Sequence, residues 1–240
     1  MTTLVHPAPA RIAHACGGFN NCIYNNSRDA LLHNISLGYL WFEIDFVYVD
    51  DELVTDAGRA AEETGDKSSS YYSAKDEGKA STATLDTTAM TLLDLAQIMK
   101  ENVAIRIVVD NKDASRNMSS MKLLYNALPN ASDRVLPQIF QPEEFAICSS
   151  LGFRHIIWTL YNYRGSDADV ISNLKSMESG PLGGVAYVTM PQARAMTQLS
   201  KDVNKLSIPT LAHTINDQSA IDELFAEGVS EVYTDWCNAT

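Results

Sequence analysis

Two carboxylates interrupt an otherwise apolar segment of the chain, Trp41-Phe42-Glu43-Ile44-Asp45-Phe46. Side chains alternate along a β-strand, so Glu43 and Asp45 would project from one face, about 6–7 Å apart. An unpaired buried charge costs several kcal/mol, and a cation shared by the two carboxylates would offset that cost. The spacing therefore predicts a cation site on this face, with a structural ion pair as the alternative.

A histidine and an acid–base pair are the other reactive groups that we expect near these carboxylates. His14 directly follows the apolar residues Ile12 and Ala13. An imidazole that titrates near neutrality can transfer protons, an effect worth ~10²–10⁴-fold in rate. Asp110 and Lys112 follow another apolar run. They predict either a further part of the same site or a salt bridge at the start of a loop.

The segments that must position these residues alternate between strand and helix, which favours a parallel sheet covered by helices. Strands are predicted at residues 11–14, 40–49, 104–110, 135–139, 155–160, 184–188, 210–214 and 231–234. Helices are predicted at residues 28–37, 91–101, 115–127, 142–151, 167–177, 191–205 and 218–227. A ninth strand, 52–55, follows the second strand after only Asp50 and Asp51. So short a link joins only antiparallel strands.

The eight remaining strands are the number that closes a parallel barrel. We therefore predict an α/β fold, a single (β/α)₈ TIM barrel over residues 1–240 with a β-hairpin return after strand two. Residues 57–84 are polar and small, which predicts a long loop or insertion over the active face. Barrel enzymes carry their chemistry at the carboxyl ends of the strands. Polar residues recur at these ends, namely His14, Glu43, Asp45, Asp110, Lys112, Gln138, Thr159, Tyr161, His213 and Asp235.

The composition is that of an acidic globular protein. A formal net charge of −12 and a sequence pI near 4.7 argue against nucleic acid or an anionic membrane as a main partner. No apolar run approaches the ~20 residues of a membrane span, and residues 1–10 hold no signal-peptide core. The four cysteines lack the paired spacing of a zinc site. We expect free thiols and a soluble, cytoplasmic protein, with loss of a secretory leader as the alternative.

Several short motifs, in order, carry a resemblance to a known family. The first four are Ile12-Ala13-His14-Ala15-Cys16-Gly17-Gly18, Tyr24-Asn25-Asn26-Ser27, Phe42-Glu43-Ile44-Asp45-Phe46 and Val109-Asp110-Asn111-Lys112. The later ones are Leu136-Pro137-Gln138-Ile139-Phe140, Trp158-Thr159-Leu160-Tyr161, Ala212-His213-Thr214-Ile215-Asn216-Asp217 and Gly228-Val229-Ser230-Glu231-Val232-Tyr233-Thr234-Asp235. Their order and spacing resemble the glycerophosphodiester phosphodiesterase family, within the phosphatidylinositol-phospholipase-C-like barrels.

The resemblance implies metal-dependent hydrolysis of a small-molecule or lipid-derived phosphodiester. It implies that Glu43, Asp45 and Asp110 bind a divalent ion, that His14 is a general acid or base, and that Lys112 contacts the phosphate. An all-oxygen ligand set suits Mg²⁺ or Ca²⁺. Two further residues are expected beside the substrate, Asn26 and Tyr161. The alternative for Asn26 is a role in forming a turn, and the alternative for Tyr161 is packing over the open end of the barrel.

The chain departs from the family at the second catalytic histidine. That histidine follows the hairpin return in a His-Asp pair, and here the place reads Leu53-Val54-Thr55-Asp56-Ala57-Gly58. Ala15 also stands where the family commonly has arginine. Candidates for the proton transfer that the missing histidine would perform are Asp56, His213 and solvent. Two alternatives to hydrolysis stay open: a catalytically impaired barrel that binds a phosphorylated ligand or a protein, and a lyase that forms a cyclic product.

Overall fold

The computed structural model describes residues 6–57, 88–178, 184–236 and 238. The loop expected at residues 57–84 lies outside the described residues, except for Ala57. No helix among the described residues is both long and apolar enough to cross a membrane.

Eight parallel strands close into a barrel, as the sequence predicts. In chain order they are β1 (Ile12–Ala13), β2 (Trp41–Val49), β4 (Arg106–Asn111), β5 (Val135–Ile139), β6 (Ile157–Thr159), β7 (Tyr187–Pro191), β8 (Thr210–His213) and β9 (Glu231–Thr234). Each strand pairs with the next in this order, and β1 pairs with both β2 and β9, which closes the ring. The fold is therefore a TIM-type α/β barrel.

The remaining strand, β3 (Glu52–Thr55), pairs antiparallel with β2 on the outside of the ring. The turn between them consists of Asp50 and Asp51, whose φ angles are 49° and 63°. Two successive positive φ angles are typical of the tight hairpin turn that matches strand twist, and aspartate tolerates them better than most residues do. The predicted hairpin return is confirmed.

The helices alternate with the strands along the chain. They are α1 (Arg28–Ser36), α2 (Leu92–Glu101), α3 (Asn117–Ala127), α4 (Ala131–Arg134), α5 (Glu144–Leu151), α6 (Asp167–Glu178), α7 (Gln192–Ala195), α8 (Gln198–Asn204) and α9 (Gln218–Ala226). Short polar side chains cap several of them: Ser27 accepts from the backbone of Ala30 at the start of α1, and Thr91 forms a capping box with Asp94 at the start of α2. Such caps are worth about 1 kcal/mol each.

Most predicted helices and strands differ from the observed ones by at most two residues at either end, the short helix α4 was not predicted, and two elements differ more. The helix expected over residues 191–205 is two helices, α7 and α8, because Thr197 begins a new helix by accepting a hydrogen bond from the backbone of Leu199. The seventh strand covers Tyr187–Pro191 instead of residues 184–188. Pro191 fits its last position, since a proline at the end of a strand removes no internal ladder bond.

The core is divided by the barrel wall. Every second residue of β2 faces the interior of the barrel, so Trp41 lies below Glu43 and Asp45, whereas Phe42 and Ile44 face the helices. The interior cluster consists of Ile12, Trp41, Val108, Leu136, Ile157, Ala186, Tyr187, Leu211 and Tyr233. A well-packed apolar layer therefore supports the charged end of the barrel from beneath.

Candidate active site

Three carboxylates meet at the carboxyl ends of β2 and β4. Asp45 lies opposite Asp110 in the parallel register, and Glu43 lies two residues earlier on the same face of β2. One oxygen from each of the three side chains lies within 4.8 Å of the other two. The barrel thus brings together the three residues that we expected to bind a metal ion.

The three carboxylates fit a hard divalent cation. Mg²⁺ and Ca²⁺ prefer oxygen ligands, and Asp110 Oδ1 is buried without a hydrogen-bond partner. Burial and the charge of Asp45 raise the pKa of Glu43 to about 8. Burial also raises the pKa of Asp110. Burial and mutual repulsion thus disfavour the ionised form of Glu43 and Asp110, and a bound divalent ion would relieve both effects.

Asp45 is held in place by Asn26. Asn26 Nδ2 donates to Asp45 Oδ2 at 3.0 Å, and the Asp45 backbone N–H donates to Asn26 Oδ1 at 2.9 Å. The φ angle of Asn26 is 47°, in the left-handed region where asparagine is enriched. Asn26, expected to contact the substrate, is fully buried and lies outside the lining of the site cavity. Its side chain positions a carboxylate.

The turn after β1 holds Glu43. The backbone N–H of Ala15 donates to Glu43 Oε2 at 2.8 Å. Ala15, Cys16 and Gly17 all have positive φ angles, of 47°, 68° and 84°. Asn34 fixes this turn by donating to the carbonyl of Cys16 at 3.0 Å. The left-handed turn is what aims a backbone N–H at the carboxylate.

His14 forms a hydrogen-bonded pair with an aspartate at the end of β9. Its Nδ1 lies 2.9 Å from Asp235 Oδ1, and Asn216 Nδ2 donates to Asp235 Oδ2 at 2.7 Å. Burial lowers the pKa of His14, but the Asp235 hydrogen bond and the charges of Glu43 and Asp235 outweigh burial and raise the pKa to about 9. The raised pKa favours the protonated form of His14 at neutral pH, and the residue lines the cavity described below.

Lys112 lies between two of the carboxylates. Its Nζ is 2.7 Å from Asp45 Oδ1 and 2.6 Å from Asp110 Oδ2. Burial alone would lower the pKa of Lys112, but the charges of the two aspartates raise it. For Asp45, burial opposes ionisation, and the nearby ammonium lowers its pKa overall. The ring of Tyr24 lies 5.9 Å from the ammonium.

His213 lies at the end of β8 and lines the same cavity as His14. Its Nδ1 is 2.9 Å from Thr189 Oγ1, and its Nε2 is buried without a hydrogen-bond partner. The rings of Tyr161 and Tyr233 pack against the imidazole at centroid distances of 5.9 and 6.0 Å. Burial and the charge of His14 lower the pKa of His213 to about 4, so its imidazole is neutral at neutral pH.

These groups surround a cavity of about 360 Å³ at the carboxyl end of the barrel. The lining residues are His14, Tyr24, Glu43, Asp110, Lys112, Gln138, Phe140, Thr159, Tyr161, Pro191, His213, Thr214 and Tyr233. A second cavity, of about 530 Å³, lies between α5 and α6 and brings no group of reactive side chains together. The cavity at the barrel end is therefore the candidate site.

Several expected site residues meet here, and others do not. His14, Lys112, Tyr161 and His213 line the cavity. Asp56 is not among the lining residues, although its backbone N–H donates to the Asp45 carbonyl at 3.0 Å. The partnership of Asp235 with His14 was not predicted, although its position after the last strand marked it as a strand-end residue. Cys16, Cys22 and Cys148 are free thiols, and Cys237 lies outside the described residues.

An eight-stranded parallel barrel with an acidic cluster and a histidine–aspartate pair at its carboxyl end has the architecture of a barrel enzyme. Several solved structures of similar fold are phosphodiesterases. One from Oleispira antarctica, in complex with sn-glycerol-3-phosphate, has a TM-score of 0.66 and 17% identity, covering 95% of this chain and 93% of its own. A glycerophosphodiester phosphodiesterase from Parabacteroides distasonis has a TM-score of 0.64 and 16% identity, covering 96% and 94%.

A third similar structure is a glycerophosphodiester phosphodiesterase from Thermotoga maritima, with a TM-score of 0.58 and 13% identity, covering 96% of each chain. At such identities the likeness establishes the fold, and this is the fold of the family whose motifs the sequence resembles. No protein-family model matches the chain, and no curated protein sequence matches it.

Proposed function

We propose that the chain is a metal-dependent phosphodiesterase of the glycerophosphodiester phosphodiesterase family. The observation that carries this proposal is the meeting of Glu43, Asp45 and Asp110 at one end of the barrel, where Glu43, Asp110 and His14 line a single cavity. The ordered sequence motifs and the fold of the solved phosphodiesterases support it.

In the proposed site, Glu43, Asp45 and Asp110 would hold Mg²⁺ or Ca²⁺. The ion would neutralise the phosphate and stabilise the charge that develops in the transition state. Asn26 fixes the orientation of the Asp45 carboxylate, and the Ala15 N–H fixes that of Glu43.

Two histidines divide the proton transfers in this proposal. His213, whose buried Nε2 has no hydrogen-bond partner, accepts a proton from the attacking water at that atom. Its pKa of about 4 keeps the imidazole neutral at neutral pH but makes it a weak base. Water oxygen bonds to phosphorus, the bond from phosphorus to the leaving alcohol breaks, and His14 donates its Nε2 proton to that alcohol. Asp235 keeps His14 oriented for this donation. His213 thereby takes over the step for which the family uses a histidine after the hairpin.

The proposed substrate is a glycerophosphodiester or another small phosphodiester derived from a lipid head group. A cavity of about 360 Å³ suits such a ligand better than a whole lipid. The Oleispira antarctica phosphodiesterase, a structure of similar fold, was solved with sn-glycerol-3-phosphate. Hydroxyl and amide groups of Gln138, Thr159 and Tyr233 offer hydrogen bonds to the polar parts of the substrate.

Hydrolysis of bis-p-nitrophenyl phosphate with Mg²⁺ or Ca²⁺ tests the proposal, followed by product analysis with glycerophosphodiesters. We expect turnover that falls ~10²–10⁴-fold in His14→Ala, the range for loss of one proton-transfer group. Glu43→Gln, which keeps the shape of the side chain, should abolish the turnover that depends on the metal ion. His33→Ala and Glu223→Gln, at exposed positions of α1 and α9, are the matched controls and should leave turnover unchanged.

Metal binding without turnover would contradict hydrolysis and support a barrel that only binds a phosphorylated ligand. Turnover that survives both His14→Ala and Glu43→Gln would show that the chemistry takes place elsewhere. A cyclic phosphate as product would assign the reaction to a lyase. Thermal melts of each variant separate a lost function from a lost fold.

A further inference from the structure

Lys112 has a second effect on the metal site, separate from any contact with phosphate. Its ammonium bridges Asp45 and Asp110, with N–O distances of 2.7 and 2.6 Å. Both aspartates belong to the group of three carboxylates that would hold a divalent ion. The ammonium therefore already supplies part of the positive charge that this cluster requires.

Asp45 cannot easily serve both cations. One of its oxygens, Oδ2, accepts from Asn26, and the other, Oδ1, faces Lys112. A divalent ion lies ~2.0–2.6 Å from each oxygen ligand. An ion and an ammonium on the same buried oxygen would be at most about 5 Å apart, where like charges repel strongly because little water screens them.

Lys112 also has room to leave. Its side chain is 34% exposed, whereas that of Asp45 is fully buried. It lines the cavity, and its ring contact with Tyr24 lies on the cavity wall. Four rotatable methylenes let a lysine ammonium move several ångströms with no change in the backbone. The carboxylates, by contrast, are fixed by the strands.

We propose that Lys112 is an internal counter-ion that a divalent ion must displace, and that the displaced ammonium turns into the cavity, where it is available to a phosphate. This inference rests on the metal site of the proposed function, but it does not depend on hydrolysis. It predicts that the metal-free site is closed by the Asp45–Lys112–Asp110 bridge. Metal binding and release of the lysine are then one event.

Metal affinity tests the competition directly. The dissociation constant for Ca²⁺ and for Mn²⁺ is measured by titration calorimetry on the whole chain and on Lys112→Met, whose side chain is unbranched and only slightly shorter but uncharged. We expect Lys112→Met to bind about tenfold more tightly or better, equivalent to about 1.4 kcal/mol. Lys122→Met, an exposed lysine of α3, is the matched control and should change affinity less than twofold.

A second measurement uses the unaltered chain, so it stands even if Lys112→Met folds poorly. The rate at which acetic acid N-hydroxysuccinimide ester acetylates Lys112 is followed by peptide mass spectrometry with and without Ca²⁺, with Lys122 as the internal reference. We expect Ca²⁺ to accelerate acetylation of Lys112 several-fold, because the freed amine leaves its two carboxylates. Unchanged or slower acetylation would overturn the inference.

Unchanged or weaker metal binding in Lys112→Met would also overturn the inference that Lys112 and the ion compete. Failure of the unaltered chain to bind either Ca²⁺ or Mn²⁺ would overturn it too. The proposed hydrolysis fails on different results. If Lys112 and the ion compete but no phosphodiester is cleaved, the competition stands and the proposed function does not. If cleavage requires a metal whose binding leaves Lys112 in place, the proposed function stands and this inference does not.

Discussion

Replacing Asp235 by asparagine is expected to lower the pKa of His14. The asparagine has the same shape and can still accept from His14 Nδ1 through its amide oxygen, but its NH₂ group then faces Asn216 Nδ2 and the hydrogen bond from Asn216 is lost. It removes the negative charge 2.9 Å from the imidazole, and it weakens the hydrogen bond that this charge strengthens.

The size of the effect follows from the surroundings of His14. Its pKa is raised from 6.5 to about 9, against burial, by the Asp235 hydrogen bond and by the charges of Glu43, Asp235 and Asp45. Two carboxylates remain in the variant. We therefore expect Asp235→Asn to lower the pKa of His14 by about 1–2, which corresponds to about 1.4–2.7 kcal/mol.

The assay is an NMR titration of the imidazole in the presence of a chelator, so that no metal ion contributes. A His14→Asn spectrum assigns the resonance, and Asp222→Asn, an exposed position on α9, controls for loss of one surface charge. Because the folded pKa is raised, the associated stability is fully present below pH 6.5 and is lost as the pH rises towards 9. The difference in unfolding free energy between the wild type and Asp235→Asn should shrink over the same interval.

A wild-type His14 pKa near 6.5 would refute this account of the site. So would an Asp235→Asn variant with an unchanged His14 pKa, since the histidine–aspartate pair would then be a contact without an electrostatic effect. An equal drop in Asp222→Asn would mean that the effect comes from net charge instead of the pair.

Two further perturbations test the support of the site and the opposite end of the barrel. Asn26→Ala leaves the buried Asp45 without two hydrogen bonds, and in urea denaturation it should lower the free energy of unfolding by about 1–3 kcal/mol more than Asn21→Ala does. Asn21 is the control because it also has a positive φ, 60°, but is exposed. Equal losses of free energy in the two variants would show that only the backbone conformation matters. Burial and the charge of His6 lower the pKa of His155 from 6.5 to about 4, so the unfolded state binds one more proton between these values. Stability should fall as the pH drops from 6.5 towards 4, by at most about 1.36 kcal/mol per unit for this group, and His155→Gln should flatten the profile; profiles that coincide would contradict the assignment.

The local elements could be read from the sequence because local rules decide them. The alternation of strand-like and helix-like segments marked the eight barrel strands, and the two-residue link Asp50-Asp51 required an antiparallel return. Ser27 caps the start of α1. The predicted helix over residues 191–205 was wrong as one element, because Thr197 caps the start of a second helix within this range.

The sequence by itself also determined which reactive groups belong together. His14 and Asp110 each end a predicted strand, Glu43 and Asp45 share one face of the predicted strand 40–49, and the strand ends of a parallel barrel share one face. Their convergence therefore followed from the fold class alone.

Only the tertiary structure decided how these groups are paired. His14 meets Asp235 across 221 residues of sequence, through the closure of β1 onto β9. Asn26 forms hydrogen bonds with Asp45 and does not line the cavity. Lys112 bridges two carboxylates. No spacing rule predicts such contacts, because a side-chain hydrogen bond forms within about 3 Å. That precision depends on strand register and on barrel closure, which the whole chain sets together.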